Sequence, residues 1–160
     1  MNLVFNKVTK YKAGIICDLL SASYTQILDT NLQEQFQRFD REVFENPDTV
    51  GTCTFITTSG SDIVGMASYD PRQAPELGII GHNCILPKYQ RKGFGKQQIL
   101  EIIKRLKARH IKQATVTTSE NPFFEPARRM YLACGFVELK REYKNPDDTY
   151  KTIYYEMDLK

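Results

Sequence analysis

Apolar and polar residues change period several times along this chain, and each change predicts an element. The opening run "NLVFNK" alternates briefly, as a short strand does. Ala13, Ile16, Cys17 and Leu20 then fall at i, i+3, i+4 and i+7, the stripe of an amphipathic helix running to about Leu28. "DTN" supplies a turn and a helix cap before "LQEQFQRFDREVF", where Phe36, Phe39 and Val43 repeat the helical spacing. The proline and glycine of "NPDTVG" stop that helix. "TCTFITT" and "DIVGMASY", parted by "SGS", predict a β-hairpin. After the loop "DPRQAP" comes a long strand, "ELGIIGHNCIL", whose Gly78 and Gly81 predict a bulge or a close backbone approach.

From about Lys96 the period is helical again, with Ile99, Ile102, Ile103 and Leu106 on one stripe. "QATVTTS" is rich in β-branched residues and predicts a strand. "EPARRMYLACGF" reads as a short helix with Gly135 at the C-cap place. The strands "VELKREY" and "YKTIYYEMDL" flank the turn "KNPDD". The order is β-α-α-β-β-β-α-β-α-β-β, without repeats or an obvious linker. That pattern predicts one mixed α/β (α+β) domain over residues 1–160.

Composition narrows the function classes. The chain has 160 residues, 41% hydrophobic and 26% charged, ordinary for a soluble globular domain. A net charge of +3 is too small for a dedicated nucleic-acid binder. "KRLKARHIK" carries its apolar members at helical spacing, so its charges read as a solvated helix face. No apolar run approaches a membrane span, and "MNLVFNKVTK" lacks the features of a secretory signal. A cytoplasmic protein is expected, binding neither nucleic acid nor membrane. Cys17, Cys53, Cys84 and Cys134 lie far apart in apolar surroundings, which predicts buried reduced thiols. With only His82 and His110 besides, there is no metal-ligand spacing, and no metal is expected.

The candidate chemistry lies in "LPKYQRKGFGKQQI", residues 86–99. Pro87 ends a ladder strand, having no amide hydrogen. Gly93 and Gly95 allow a tight turn that brings bare backbone N–H groups near a ligand. The helix starting there adds its unpaired amides and positive dipole end, and Arg91, Lys92 and Lys96 add charge. Strand, glycine turn and helix N-terminus make an anion seat, against the alternative of a plain charged loop. Gln90 and Gln97 break a P-loop pattern, and Gln98 stands where a dinucleotide fingerprint needs its third glycine.

The frame "CILPKYQRKGFG" resembles the pyrophosphate-binding segment of the Gcn5-related N-acetyltransferases, the GNAT superfamily, through Gln90, Gly93 and Gly95. A second family segment is matched by Pro126, Ala127, Tyr131, Gly135 and Phe136. The resemblance is firm from about Glu76 to Phe136. It implies a GNAT-like fold, a mixed central sheet of about seven strands with about four helices. It also implies acetyl-CoA as co-substrate, with no metal. The backbone of Cys84, Ile85 and Leu86 would pair with the pantetheine arm, and the amides from Gln90 through Arg91, Lys92, Gly93, Phe94 and Gly95 to Lys96 would hold the pyrophosphate.

Tyr131 matches the residue that, in the family, protonates the departing thiolate; on its own stripe of Ala127, Met130 and Cys134 it also reads as a core tyrosine. Relatives often place a glutamate on the long fourth strand to deprotonate the amine through water. Here no carboxylate lies between Leu77 and Leu86, and Glu76 sits at the strand's start. His82 is the first choice for that role, with a structural histidine as its alternative. The position seven before the tyrosine, often asparagine, is Phe124, so Asn121 is the nearby substitute for a CoA contact. Arg128 is assigned to CoA phosphate, with a solvated side chain as the alternative. Cys84 reads as packing, because no histidine–acid pairing supports a nucleophile.

The implied reaction moves acetyl to a primary amine on a small molecule or peptide. The acceptor would enter over the first two helices and the "DPRQAP" and "KNPDDTY" loops, where Asp147 and Asp148 either attract a cation or form a polar turn. The rival reading is a non-catalytic acyl-CoA-binding or regulatory domain. Pairing through the C-terminal strands into a homodimer is a further implication of the resemblance.

Overall fold

In a computed structural model describing residues 2–160, the alternating N-terminal run is strand β1 (Leu3–Lys7), followed by helices α1 (Ile15–Ser23) and α2 (Thr30–Glu45). The hairpin is β2 (Thr54–Ser59) and β3 (Asp62–Asp70), and the long strand is β4 (Leu77–Ile85). Then come α3 (Phe94–Ala108), β5 (Gln113–Ser119), α4 (Glu125–Ala133), β6 (Val137–Glu142) and β7 (Thr152–Asp158). The strands form one seven-stranded sheet in the order β1-β2-β3-β4-β5-β7-β6. β4 and β5 pair in parallel, which requires a crossover, and α3 is that connection. The β1–β2, β2–β3, β5–β7 and β6–β7 ladders are antiparallel. This is the mixed sheet with four helices that the resemblance implied.

The chain divides into two compact units: residues to Tyr69 together with His82–Gln98, and Asp70–Gly81 together with Ile99–Lys160. In the first, Ile16, Leu20, Phe36, Val43, Ile56 and Met66 are buried to 2% exposure or less and pack with Cys84. Helix α1 begins after Gly14, at φ +105, and so has no capping side chain of its own. Asp40 of α2 supplies the cap: its Oδ1 accepts from the Gly14 amide at 2.9 Å and its Oδ2 from the Cys17 amide at 3.0 Å. The buried stripe of α2 is therefore Phe36, Asp40 and Val43, with Phe39 left half-buried beside it. Spacing alone favours Phe39; a paired carboxylate takes the inner position instead.

Helix α1 also stops earlier than Leu28. Tyr24 leaves helical dihedrals (ψ 21°), and the Ile27 amide closes a turn on the Tyr24 carbonyl. That turn brings Asp29 to the start of α2, where its carboxylate accepts from the Leu32 amide at 2.8 Å.

In the second unit, the stripe Ile102, Ile103 and Leu106 of α3 is buried, as are Ala114 and Val116 of β5 and Ile153 and Tyr155 of β7. Gly78 marks a close approach rather than a bulge: a Cβ there would stand 2.7 Å from a Leu106 methyl. The β4–β5 ladder comprises three pairs, from Leu77↔Gln113 to Ile79↔Thr115, whereas β5 continues against β7 as far as Ser119.

Candidate functional site

The first unit contains the glycine corner. Arg91 and Gly93 both take left-handed backbone, at φ 64° and 79°, and α3 follows at once from Phe94. A left-handed residue set against right-handed neighbours turns successive N–H groups into one concavity, an anion-binding nest. The Gln97 amide returns to the Gly93 carbonyl at 3.2 Å, so Gly93 caps the helix. The amides of Phe94 and Gly95 belong to the first turn, where helix geometry offers no carbonyl to receive them. Dipole and amides therefore point at one place. Arg91, Lys92 and Lys96 stand exposed around it, and Lys88 lies 5.6 Å from the Tyr89 ring centroid.

What holds the corner rigid is a buried amide. Gln98 is 1% exposed. Its Oε1 accepts from the Thr57 hydroxyl at 2.6 Å, while its Nε2 donates to the Met66 and Cys84 carbonyls at 3.2 and 3.3 Å. One side chain, directly after the first turn of α3, thus ties the helix to β2, β3 and β4. Gln90 adds a second tie, its Nε2 donating to the Ile85 carbonyl at 2.9 Å.

The end of β4 shows which backbone groups face which way. The Leu86 amide donates to Val64 of β3 at 2.8 Å, and the Cys84 carbonyl lies close against Gly65, where a Cβ would fall 2.1 Å from it. Cys84 and Leu86 therefore face β3, and by strand alternation Ile85 faces the opposite edge. The Cys84 side chain points into the core, where burial pushes its thiol up to about 11. A neutral, buried thiol of that kind packs and does not attack.

His82 lies half-buried against α2, its ring 4.8 Å from Phe39 and 5.7 Å from Phe36. Burial lowers its pKa, because desolvation disfavours the imidazolium, so the ring is neutral near pH 7. Ser68 donates to its backbone carbonyl at 2.8 Å. Together with Asn31, Gln35, Arg38, Phe39 and Glu42 of α2 it lines an open cavity of about 300 Å³.

The second unit holds Tyr131, Arg128 and Asn121. Tyr131 is 4% exposed on α4, with its ring 6.0 Å from Phe136 and 6.1 Å from Tyr155. Gly135 follows the helix at φ +105, as a C-cap glycine should, and the Phe136 amide returns to the Tyr131 carbonyl. Arg128 turns back to the end of β5: its Nη1 donates to the Ser119 carbonyl at 2.6 Å and the Asn121 carbonyl at 3.2 Å. Asn121 Oδ1 accepts from the Phe123 amide at 3.0 Å, starting the short helix 122–124. Glu76 is ion-paired with Lys112 at 3.0 Å. Asp148 accepts from the Asn145 amide at 2.9 Å, which closes the polar turn.

The sequence model of the acetyltransferase (GNAT) family matches residues 15–136, most of the chain. The chain belongs to the GNAT family. Among curated proteins none matches it. Solved structures share its fold at low identity. A GNAT-family protein from Desulfovibrio desulfuricans superposes with a TM-score of 0.81 at 16% identity, covering 99% of both chains. The ribosomal-protein-S18-alanine N-acetyltransferase of Escherichia coli gives 0.70 at 14%, covering 99% of this chain and 93% of that one. The NatC complex bound to Gag peptide and CoA gives 0.73 at 15%, covering all of both chains.

Gln90, Gly93 and Gly95, which carry the sequence resemblance, thus lie at the corner that starts α3, and Tyr131 packs with Phe136 and Tyr155 on α4. Sequence reasoning passed over Gln98 because a single glutamine breaks neither helical spacing nor charge pattern; only its place on the inner stripe with Ile99 and Ile102 hinted at burial. Arg38 and Glu42 carry no signal of their own in the sequence, since charged residues on the outer side of an amphipathic helix are the ordinary pattern.

Proposed function

We propose that the protein transfers acetyl from acetyl-CoA to a primary amine by direct attack. The observation that carries this reading is the corner at Arg91–Gly95. Its two left-handed residues run straight into α3, and Gln98 braces it from beneath. Such a corner suits a pyrophosphate, and the exposed Arg91, Lys92 and Lys96 add the matching charge. The pantetheine arm would lie along the end of β4, where Ile85 turns its backbone to the outer edge and Cys84 and Leu86 hold the strand to β3.

In this scheme the amine nitrogen attacks the thioester carbonyl, a C–N bond forms and the C–S bond breaks; the CoA thiolate takes a proton from the Tyr131 hydroxyl, and the proton shed by the newly acylated nitrogen restores the phenol. The ammonium first gives up a proton, and His82, held neutral by burial, receives it directly or through water. Asn121 and Arg128 contribute on the CoA side by fixing the end of β5 through the bonds described, and the Arg128 charge lies near that end. The solved neighbours that act on a protein alanine or bind a peptide and CoA support an amine acceptor without choosing one.

We place the protein in the cytoplasm, a reading supported by its four free cysteines. A homodimer is supported by the uncovered Val137 and Leu139 side chains of the edge strand β6, about 60% exposed, packing against a second copy without strand addition.

A second reading, an acyl-CoA-binding domain without turnover, is favoured by one feature: β4 carries no carboxylate. Calorimetric titration with acetyl-CoA, beside a Gly93→Glu control, tests the seat that both readings share. Binding lost in the control supports it; no binding at millimolar acetyl-CoA overturns it. Thiol release with an amine panel then separates the two readings.

A further inference from the structure

The cavity on α2 contains charges that no fold requirement explains. Asn31, Gln35, Arg38, Phe39 and Glu42 recur at i, i+4, i+7, i+8 and i+11, which is one face of the helix, and His82 of β4 completes the wall. Among the described residues neither Arg38 nor Glu42 makes an ion pair or a side-chain hydrogen bond. They stand one turn apart, so pairing with each other is the obvious alternative. Orientation works against it. The two Arg–Glu pairs at that spacing that do form, Glu101–Arg105 and Glu125–Arg129, place the glutamate one turn before the arginine. Arg38–Glu42 has the reverse and less favourable order. Glu34 lies one turn before Arg38 in the favourable order, yet does not engage it either. Arg38 and Glu42 instead line the cavity.

A cavity with one guanidinium and one carboxylate has no net charge but has two opposite poles. Polyamines and other polycations need several carboxylates, and this wall offers one. A simple monoamine leaves Arg38 without a partner. A molecule that bears ammonium and carboxylate together matches both poles. Cβ atoms one helical turn apart are about 5–6 Å distant, and two charge-assisted contacts of about 2.8 Å bracket the adjacent charges of a small zwitterion. The Phe39 ring offers its side chain an apolar contact, His82 lies 4.8 Å from that ring and stays available to the amine proton, and a volume of about 300 Å³ suits a molecule of that size. We propose that the acceptor is a small zwitterionic amine of the α-amino-acid type, its carboxylate held by Arg38 and its amine drawn in by Glu42. The acetyl-transfer part of this proposal rests on the function proposed above; the binding part does not.

The test compares free amino acids with their methyl esters, which keep the amine and lose the carboxylate, and includes spermidine and a short peptide as other acceptor classes. Two readouts are taken on the whole protein: CoA thiol release with acetyl-CoA, and calorimetric binding of the amino acid alone. The wild type is expected to prefer the free acid. Arg38→Met, an exposed substitution, is expected to raise the amino-acid KM roughly 10- to 150-fold, to leave the KM for acetyl-CoA unchanged, and to abolish the preference over the ester. Glu42→Gln is expected to weaken the acid and the ester alike. Equal use of acid and ester by the wild type, or a preference for spermidine or peptide, overturns the proposal while leaving acetyl transfer intact. Arg38-dependent binding of the amino acid without thiol release upholds the pocket and overturns acetyl transfer. Neither binding nor transfer overturns both.

Discussion

Replacing Gln98 by leucine, a residue of similar size, tests whether a single buried amide braces the anion seat. Three hydrogen bonds disappear: those to the Met66 and Cys84 carbonyls and that from the Thr57 hydroxyl. At about 1 kcal/mol net for each, the loss is about 3 kcal/mol. Thr57 is completely buried, so its hydroxyl is left without a partner and keeps the figure from falling lower. For a chain of this length that corresponds to a fall in Tm of roughly 6–12 °C, read by calorimetry or circular dichroism. Removing the hydroxyl as well, in Thr57→Val/Gln98→Leu, should cost less than the sum of the two single changes, because the orphaned group is gone. Gln98 stands directly after the first turn of α3, so acetyl-CoA binding should weaken even at temperatures where the variant is fully folded. A Tm change under about 2 °C together with additive double-mutant behaviour would refute the reasoning, since the amide would then be a bystander.

Other expectations follow from the same geometry. Asp40→Ala should destabilise by about 2 kcal/mol in urea unfolding, because α1 has no cap of its own and a buried charged acceptor is lost. Gly93→Ala places a side chain at φ +79 and should cost about 1–2 kcal/mol while weakening acetyl-CoA binding, although a Cβ there meets nothing. Tyr131→Phe should lower turnover roughly a hundredfold or more with acetyl-CoA affinity retained; equal turnover removes the tyrosine from the proton path. His82 titrates below its ordinary 6.5 because burial disfavours the charged ring, so between these two values the unfolded chain binds more protons than the folded one. Stability is therefore full above pH 6.5 and falls as pH drops through that window, and His82→Gln should flatten this slope in pH-dependent denaturation.

Much of the fold was legible in the order of elements, because the helices carry apolar stripes and strands such as β2 and β5 carry β-branched runs. The stripe of α3, Ile99 to Leu106, is buried as the spacing predicts. β5 covers "QATVTTS" from end to end. The turn at Gly93 was legible too, since glycine supplies the left-handed backbone that such a turn before a helix uses. Three things were not. Asp40 lies inside α2 because it caps another helix, and a cap supplied by a residue 26 positions away leaves no mark on local periodicity. Gln98 is buried for its three partners on β2, β3 and β4, which only the folded sheet brings together. The face of α2 that carries Arg38 and Glu42 has the same polar pattern as any solvated helix surface, and becomes a cavity only where β4 presents His82 to it.

Strand β6 has every residue exposed and forms the outer margin of the sheet, with Val137 and Leu139 uncovered. Such a margin invites uncontrolled addition of further strands and, in time, precipitation. Glu138, Lys140, Arg141 and Glu142 act as its guard, because any arriving strand must desolvate them. Arg141 holds the carboxyls of Glu138 and Glu120 below their usual range, through contacts at 2.8 and 3.1 Å, so the charges persist into weakly acidic solution. High salt weakens exposed charges more readily than mild acid removes them. The colloidal behaviour of the protein should therefore fail first with rising ionic strength, with the fold still intact.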